Sequence, residues 1–127
     1  MNLLILIGIG GFIGAVLRYL VSGWIQNGAT TFPIGTMGVN VIGSFVLGTI
    51  LFASEYKGIL SEETRIFLTI GLLGAFTTMS TFSYESFRLL ESKDFLRVSF
   101  NIMGTIFLTI SAIYLSKVLV IMIGGGK

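Results

Sequence analysis

The chain has 127 residues, of which 54% are hydrophobic and only 11% are charged, and its net charge is +2. A soluble domain is roughly 25% charged, so the composition predicts one membrane domain over residues 1–127. Histidine and cysteine are both absent, which excludes disulfides, thiolate nucleophiles, Cys/His zinc sites and imidazole catalysis. We do not expect a nucleic-acid-binding protein, because the positive charges are few and dispersed.

Charge-poor stretches long enough to cross a bilayer occur four times. An apolar core of about 30 Å needs roughly 20 helical residues, and charged residues or the polar stretch before Pro33 bound each candidate. We therefore expect an all-α, multi-pass membrane protein of one domain, with spans at about 3–24, 34–54, 63–89 and 97–122.

The first span is rich in glycine, and Gly10 and Gly14 form a G-x-x-x-G motif. Small residues at this spacing let helices approach closely in lipid, so the motif predicts helix packing. A dinucleotide-binding G-x-G-x-x-G loop would need glycine where Ile13 stands, and no acidic partner follows.

Polar residues lie near the middle of the second and third spans. Asn40 is expected either to bond a neighbouring helix or to line a wet pathway. In the third span, five hydroxyl residues fall between Thr77 and Ser83, after Gly71 and Gly74. These residue types hold a helix poorly, so the third helix is predicted to be broken near its middle. The alternative is an intact helix whose hydroxyls bond their own i−4 carbonyls.

Helical spacing groups further side chains. Met79 and Phe82 are three residues apart, which would put them on one face of a helical turn. Asn101, Thr105 and Thr109 recur every four residues in the fourth span and so share one stripe. A polar stripe in a membrane helix faces protein or water, so it forms either contacts between helices or the wall of a pathway.

Lysine and arginine are balanced across the four spans. Each side carries four, namely Lys57, Arg65, Lys117 and Lys127 against Arg18, Arg88, Lys93 and Arg97. Because the positive-inside rule acts through Lys/Arg asymmetry, both orientations are expected to insert. Two oppositely inserted copies can form an antiparallel homodimer. The alternative is a single orientation fixed by another determinant.

Arg18 and Glu85 fall on the same predicted side of the membrane. As a pair at the mouth of a pathway, Arg18 would attract anions while Glu85 held the guanidinium in place. The competing interpretation is that Arg18 simply extends its head group to the interface.

Three segments carry a family resemblance. They read GFIGAVLRY at 11–19, GTMGVNVIGSF at 35–45 and GLLGAFTTMSTF at 71–82. Together and in this order, over nearly the whole chain, they resemble the Fluc (CrcB) fluoride channel family. The resemblance implies a fluoride-selective passive channel of the inner (plasma) membrane, and not an enzyme, that exports fluoride and protects against its toxicity. It also implies an antiparallel, dual-topology homodimer with two pores in the lipid bilayer.

The resemblance further implies roles for individual residues. A structural Na⁺ at the dimer interface would be held by the backbone carbonyls of Gly74 and Thr77, and Arg18 and Glu85 would form a vestibule. The fluoride pathway would be lined by Asn40, Met79, Ser80, Thr81, Phe82, Asn101, Thr105 and Thr109. The family pattern is T-T-F-S-T-F, so Met79 stands where the first phenylalanine is expected.

The chemistry of fluoride agrees with this resemblance. A small, strongly hydrated anion needs hydrogen-bond donors in place of its water, and amides and hydroxyls donate. An aromatic ring presents a positive edge that can face an anion. Two alternatives remain open, a dual-topology proton-coupled antiporter and a non-conducting structural protein. The antiporter needs a membrane-embedded carboxylate, and the first span has none.

Overall fold

The computed structural model describes residues 1–28 and 30–124, so Lys127 of the charge balance lies outside the described residues. Four helical spans are long and apolar enough to cross a membrane. They are α1 (Leu3–Gln26), α2 (Ile34–Lys57), the third span (Glu62–Glu91) and α6 (Phe95–Ile123). The four-helix prediction is confirmed, and each helix begins and ends within three residues of its expected limits.

The third span consists of four helical segments in sequence. They are α3 (Glu62–Ile66), a π-helical segment (Phe67–Leu73), α4 (Gly74–Phe76) and α5 (Met79–Glu91). Between α4 and α5, Thr77 (φ −83°, ψ 157°) and Thr78 (φ −149°, ψ 116°) are extended. The predicted break is therefore present at mid-span, and the intact-helix alternative is wrong.

The π-helical segment lies directly against α1. A Cβ on Gly10 would come within 2.8 Å of the Phe67 carbonyl oxygen, and one on Gly14 would overlap the carbonyl oxygen of Leu72. The G-x-x-x-G motif therefore brings α1 into backbone contact with the third span, as predicted from its spacing.

α2 occupies the centre of the chain, since it packs against α1, the third span and α6. Val39 is fully buried and forms a core cluster with Leu73 and Phe76. Farther along, a Cβ on Gly48 would overlap Oγ of the fully buried Ser116, so α2 and α6 are in close contact. On the side that faces the interior of the chain, the break is therefore covered by other helices.

The Gln26 side chain makes three hydrogen bonds to the backbone between the end of α1 and the start of α2. Gln26 Nε2 donates to the carbonyls of Thr30 and Phe32, at 2.9 Å each, and Oε1 accepts from Gly35 N at 3.0 Å. Pro33, which precedes α2, makes no side-chain cap hydrogen bond. Gln26 therefore satisfies an orphan amide in the first turn of α2 and fixes the end of the helix that carries Thr36 and Asn40.

Candidate functional site

Asn40 holds the break from α2. Its Nδ2 donates to the Thr78 carbonyl at 3.0 Å, and its Oδ1 accepts from Thr78 N at 2.8 Å. Both residues are buried, and an unsatisfied backbone group at membrane depth is costly. One interpretation of the sequence was that Asn40 bonds a neighbouring helix, and this bond is present. One hydrogen of Nδ2 remains for another acceptor, because an amide nitrogen carries two.

Two backbone amides at the break are diverted from their helical acceptors. In a continuous helix the Thr78 N–H would donate to the carbonyl of Gly74, but here it donates to Asn40. The Thr81 N–H would donate to the carbonyl of Thr77, but here it donates to Thr78 Oγ1 at 3.3 Å. The carbonyls of Gly74 and Thr77 are thereby released from their helical partners at the same break.

Gly74 itself has ordinary helical geometry, with φ −61° and ψ −35°. Among the described residues, the nearest atom to an added Cβ would be the Thr69 carbonyl oxygen at 3.6 Å, an ordinary contact. Neither backbone conformation nor contact within the chain therefore requires glycine here. Gly74 is exposed on the outer surface of the chain, while Thr77 is half-buried and donates through Oγ1 to the Leu73 carbonyl.

The hydroxyl groups after the break form a cluster. Thr78 Oγ1 lies 3.0 Å from Thr81 Oγ1 and 3.4 Å from Ser80 Oγ. Thr78 and Thr81 open into a cleft of about 260 Å³ that Arg18 and Thr36 also line. The structure thus brings Arg18 to the same cleft as the hydroxyls of the break.

Glu85 has a different partner from the one expected. Its Oε1 accepts from the Thr36 hydroxyl at 2.8 Å, and its Oε2 is buried without a hydrogen-bond partner in the described chain. Among residues 1–28 and 30–124, the ion pairs are Met1–Glu63, Arg88–Glu91 and Arg97–Asp94. The predicted pair between Arg18 and Glu85 is therefore wrong, because α5 turns the carboxylate toward α2.

Met79 and Phe82 lie in different environments within the chain. Met79 is the first residue of α5 and is 72% exposed, whereas Phe82 is 8% exposed. Both residues lie in the helical segment α5, so their three-residue spacing still places them on neighbouring positions of one helix face. Phe82 is packed within the chain and Met79 is exposed, and the lining of one pathway by both stays a prediction.

The polar stripe of α6 is present, and its members have different partners. Asn101, which is 1% exposed, donates through Nδ2 to Ser86 Oγ at 2.9 Å, and Ser86 donates to the Phe82 carbonyl at 2.7 Å. Thr109 Oγ1 donates to the Thr105 carbonyl at 2.7 Å. The buried Thr105 Oγ1 has no hydrogen-bond partner in the described part of the chain.

Sequence reasoning missed two residues of this site, Thr36 and Ser86. Each lies four residues from one that was identified, since Thr36 precedes Asn40 and Ser86 follows Phe82. Residues four apart share a helix face, so this spacing was the available signal.

Comparison with known proteins gives a consistent result. The family model described as "CrcB-like protein, Camphor Resistance (CrcB)" matches residues 5–117. The protein named Fluoride-specific ion channel FluC 1 of Methanosarcina acetivorans is 62% identical over 93% of this chain and 90% of its own length. FluC 3 of Methanosarcina barkeri is 56% identical over 92% and 89%, and FluC of Methanococcus maripaludis 46% over 92% and 94%.

The fold and the comparisons lead to the same assignment. Four apolar helices indicate a multi-pass membrane protein, and the family match covers all four of them in part or in full. The motifs that carried the resemblance lie at the α1 contact, at Asn40 and at the break. The chain belongs to the CrcB family.

Proposed function

We propose that this chain forms a fluoride-selective passive ion channel of the inner (plasma) membrane. It lets fluoride leave the cytoplasm down its electrochemical gradient and so protects the cell against fluoride toxicity. The observation that carries the proposal is the similarity, over about nine-tenths of both chains, to proteins named fluoride-specific ion channels.

The cleft at the break has the chemistry that such a pathway needs. Fluoride must exchange its water for donors, and the cleft offers the hydroxyl of Thr81 beside the guanidinium of Arg18. A positive charge at the mouth raises the local anion concentration. Asn40 can offer its remaining amide hydrogen, and the buried ring of Phe82 can offer its positive edge.

Thr105, on α6, provides a further hydrogen-bond donor for the pathway. Its hydroxyl is buried and has no hydrogen-bond partner in the described chain, so its proton is available to a passing anion. By contrast, Thr109 donates its hydroxyl proton to a carbonyl, and Asn101 uses one of its two amide hydrogens on Ser86. We therefore propose that Thr105 contacts fluoride directly and that the other two members of the stripe support the wall.

The functional unit in this proposal is an antiparallel, dual-topology homodimer with two pores. Gly74, Ser80 and Thr81 are exposed on the single chain near the middle of a membrane span. Lipid cannot satisfy the polar groups of an interrupted helix, so protein must cover this surface. A second copy inserted in the opposite sense supplies that cover and agrees with the balanced Lys/Arg count.

We also propose a structural Na⁺ at the dimer interface, held by the carbonyls of Gly74 and Thr77 from both copies. The residues fit this group, because the same two carbonyls have lost their helical donors. Carbonyl oxygens are hard ligands suited to a hard cation. When bound, the ion would supply positive charge between the two breaks, while the carbonyls hold the copies together.

One observation favours a second candidate, a proton-coupled antiporter. Glu85 is a half-buried carboxylate inside the third span, and one of its oxygens has no hydrogen-bond partner in the described chain. Such a carrier exchanges protons on a membrane-embedded acid. Glu85→Gln removes that proton exchange but keeps an oxygen that can accept from Thr36.

The test is fluoride release from liposomes that contain the purified protein, followed with a fluoride-selective electrode. For a passive channel we expect fast release that needs only a counter-ion shunt, and Glu85→Gln still releases fluoride without a proton gradient. Release that requires an opposing proton gradient and disappears in Glu85→Gln would identify the antiporter. Absence of release from the parent protein would leave a non-conducting structural protein.

A further inference from the structure

We propose that Asn40 and Thr78 are positioning residues for the carbonyl cation site. Their side chains hold the break open by accepting the two backbone N–H groups that would otherwise close on Gly74 and Thr77. This inference rests on the proposed function, and specifically on the proposed Na⁺ site.

The first step concerns Asn40 and Gly74. Asn40 Oδ1 accepts the Thr78 N–H at 2.8 Å in a buried contact. Without that acceptor the N–H must find another one, because a buried unpaired donor in an apolar medium is unfavourable. The helical acceptor is the carbonyl of Gly74, which would then be occupied. Asn40 therefore controls whether the Gly74 carbonyl is available to a cation.

The second step concerns Thr78 and Thr77. Thr78 Oγ1 accepts the Thr81 N–H and caps the start of α5. Without the hydroxyl, the Thr81 N–H is free to close on the Thr77 carbonyl and extend the helix backward. The Thr78 side chain therefore keeps the Thr77 carbonyl available in the same way.

Thr78 also lines the cleft proposed above as part of the anion pathway. Thr78 and Thr81 line the cleft that contains Arg18, and Asn40 bonds both backbone groups of Thr78. A substitution at Asn40 thus alters the cation site even when it is chosen to test an anion contact. Fluoride flux alone cannot separate these two effects, so the test uses cation affinity.

The experiment measures thermal unfolding of the purified full-length protein in detergent while Na⁺ replaces N-methylglucamine at constant ionic strength. A cation that binds only the folded state raises its stability, so the Na⁺ concentration giving half of the maximal shift reports affinity. For Asn40→Ala and Thr78→Val we expect that concentration to rise about tenfold, a change typical of losing one positioning hydrogen bond. Thr78→Ser keeps a hydroxyl and is expected to restore the parent value.

Ser61 provides a matched control. Its Oγ accepts the Thr64 N–H at 3.2 Å and caps α3, the other end of the same span, away from the break. Ser61→Ala is expected to lower the unfolding temperature without changing the Na⁺ concentration for half-maximal shift. If Thr78 had a purely structural role, Thr78→Val would lower the unfolding temperature without changing the Na⁺ concentration for half-maximal shift, as expected for Ser61→Ala. That result would overturn the inference.

The remaining outcomes distinguish failure of this inference from failure of the proposed Na⁺ site on which it rests. If Na⁺ does not stabilise the parent protein, the proposed cation site is wrong, and the inference is wrong with it. If Na⁺ stabilises the parent and both variants at the same concentration, the cation site stands and the positioning role is rejected. If Asn40→Ala does not fold, Thr78→Val and Thr78→Ser still decide the question, since they keep the amide of Asn40.

Discussion

The Asn101 amide donates to the Ser86 hydroxyl across 2.9 Å and so joins α6 to α5. Ser86 in turn donates to the carbonyl of Phe82 at 2.7 Å, and all three residues are buried. The first of these bonds connects the two helices, and the second is an i−4 bond within α5. Because α5 carries Phe82, the Asn101–Ser86 bond constrains how the segment with the aromatic ring is rotated relative to α6.

The first prediction follows from that contact. Ser86→Ala leaves the Asn101 amide without its acceptor and is expected to reduce stability by about 1 kcal/mol. Fluoride flux in liposomes is expected to fall several-fold, because the Phe82 ring is less well oriented. Ser99→Ala is the matched control, since Ser99 makes the same i−4 bond to the Phe95 carbonyl at an exposed position. Equal flux from the two variants would contradict a role for the Asn101–Ser86 bond.

The second prediction tests whether a second copy covers Gly74. A methyl group at Gly74 meets only an ordinary contact with Thr69 within the described chain. Gly74→Ala is therefore expected to fold with unchanged helix content by circular dichroism, and its dimer is expected to dissociate more readily in analytical ultracentrifugation. Gly8→Ala is the control, because no described atom lies within 4 Å of its added methyl. A Gly74→Ala dimer as stable as the Gly8→Ala dimer would place the interface elsewhere.

The third prediction concerns orientation in the membrane. With four Lys/Arg on each side, two or three lysines added after Gly124 are expected to fix one orientation. The tail-charged protein alone would then lose fluoride transport, and a co-expressed copy biased in the opposite sense would restore it. Accessibility labelling of the C-terminus reports orientation. Full activity of the tail-charged protein with all its C-termini on one side would contradict dual topology.

The fourth prediction compares Met79 with Phe82. Met79 is largely exposed on the chain, so Met79→Phe is expected to fold normally and to conduct at least as well as the parent. A methionine can line a passage without blocking it, so the parent itself is expected to conduct. Phe82→Ile removes the buried ring and its positive edge and is expected to reduce flux more than any change at Met79.

The measurement compares fluoride flux of the parent, Met79→Phe and Phe82→Ile at matched protein density. It distinguishes residues that contact the ion from residues that only pack. If Phe82→Ile conducts like the parent while Met79→Phe stops flux, ring edges do not contact the ion. The two residues would then be packing residues.

The helices and the break could be predicted because both depend on local sequence. Charge-poor runs set the limits of the spans, and the hydroxyl run that begins at Thr77 marks a segment that holds a helix poorly. The partner of Asn40 could not be predicted. Its contacts depend on the rotation and depth of α2 against the third span, which no local pattern encodes.

The pair of Arg18 and Glu85 was predicted from a shared side of the membrane, and that criterion was insufficient. The side of the membrane specifies only the depth of a residue in the bilayer. Contact between two residues also depends on the direction of each side chain around its helix axis. Glu85 turns toward Thr36 of α2, and Arg18 lies in the cleft beside the break. Thr36 lines the cleft with Arg18 and binds Glu85, and neither contact follows from a shared side of the membrane.

The π-helical segment Phe67–Leu73 makes this part of the third span tolerant of losing one residue. A π turn bonds five residues back instead of four, so it accommodates an additional residue. Removing one residue from the segment would let it relax to α geometry, and the residues that follow would keep nearly the same direction around the helix axis. Gly74 and Thr77 would then still face the same side, whereas the same deletion in a regular α-helix would turn all that follows by about 100°. Such a deletion is therefore limited by the backbone contacts with α1 at Gly10 and Gly14 more than by the direction of the break.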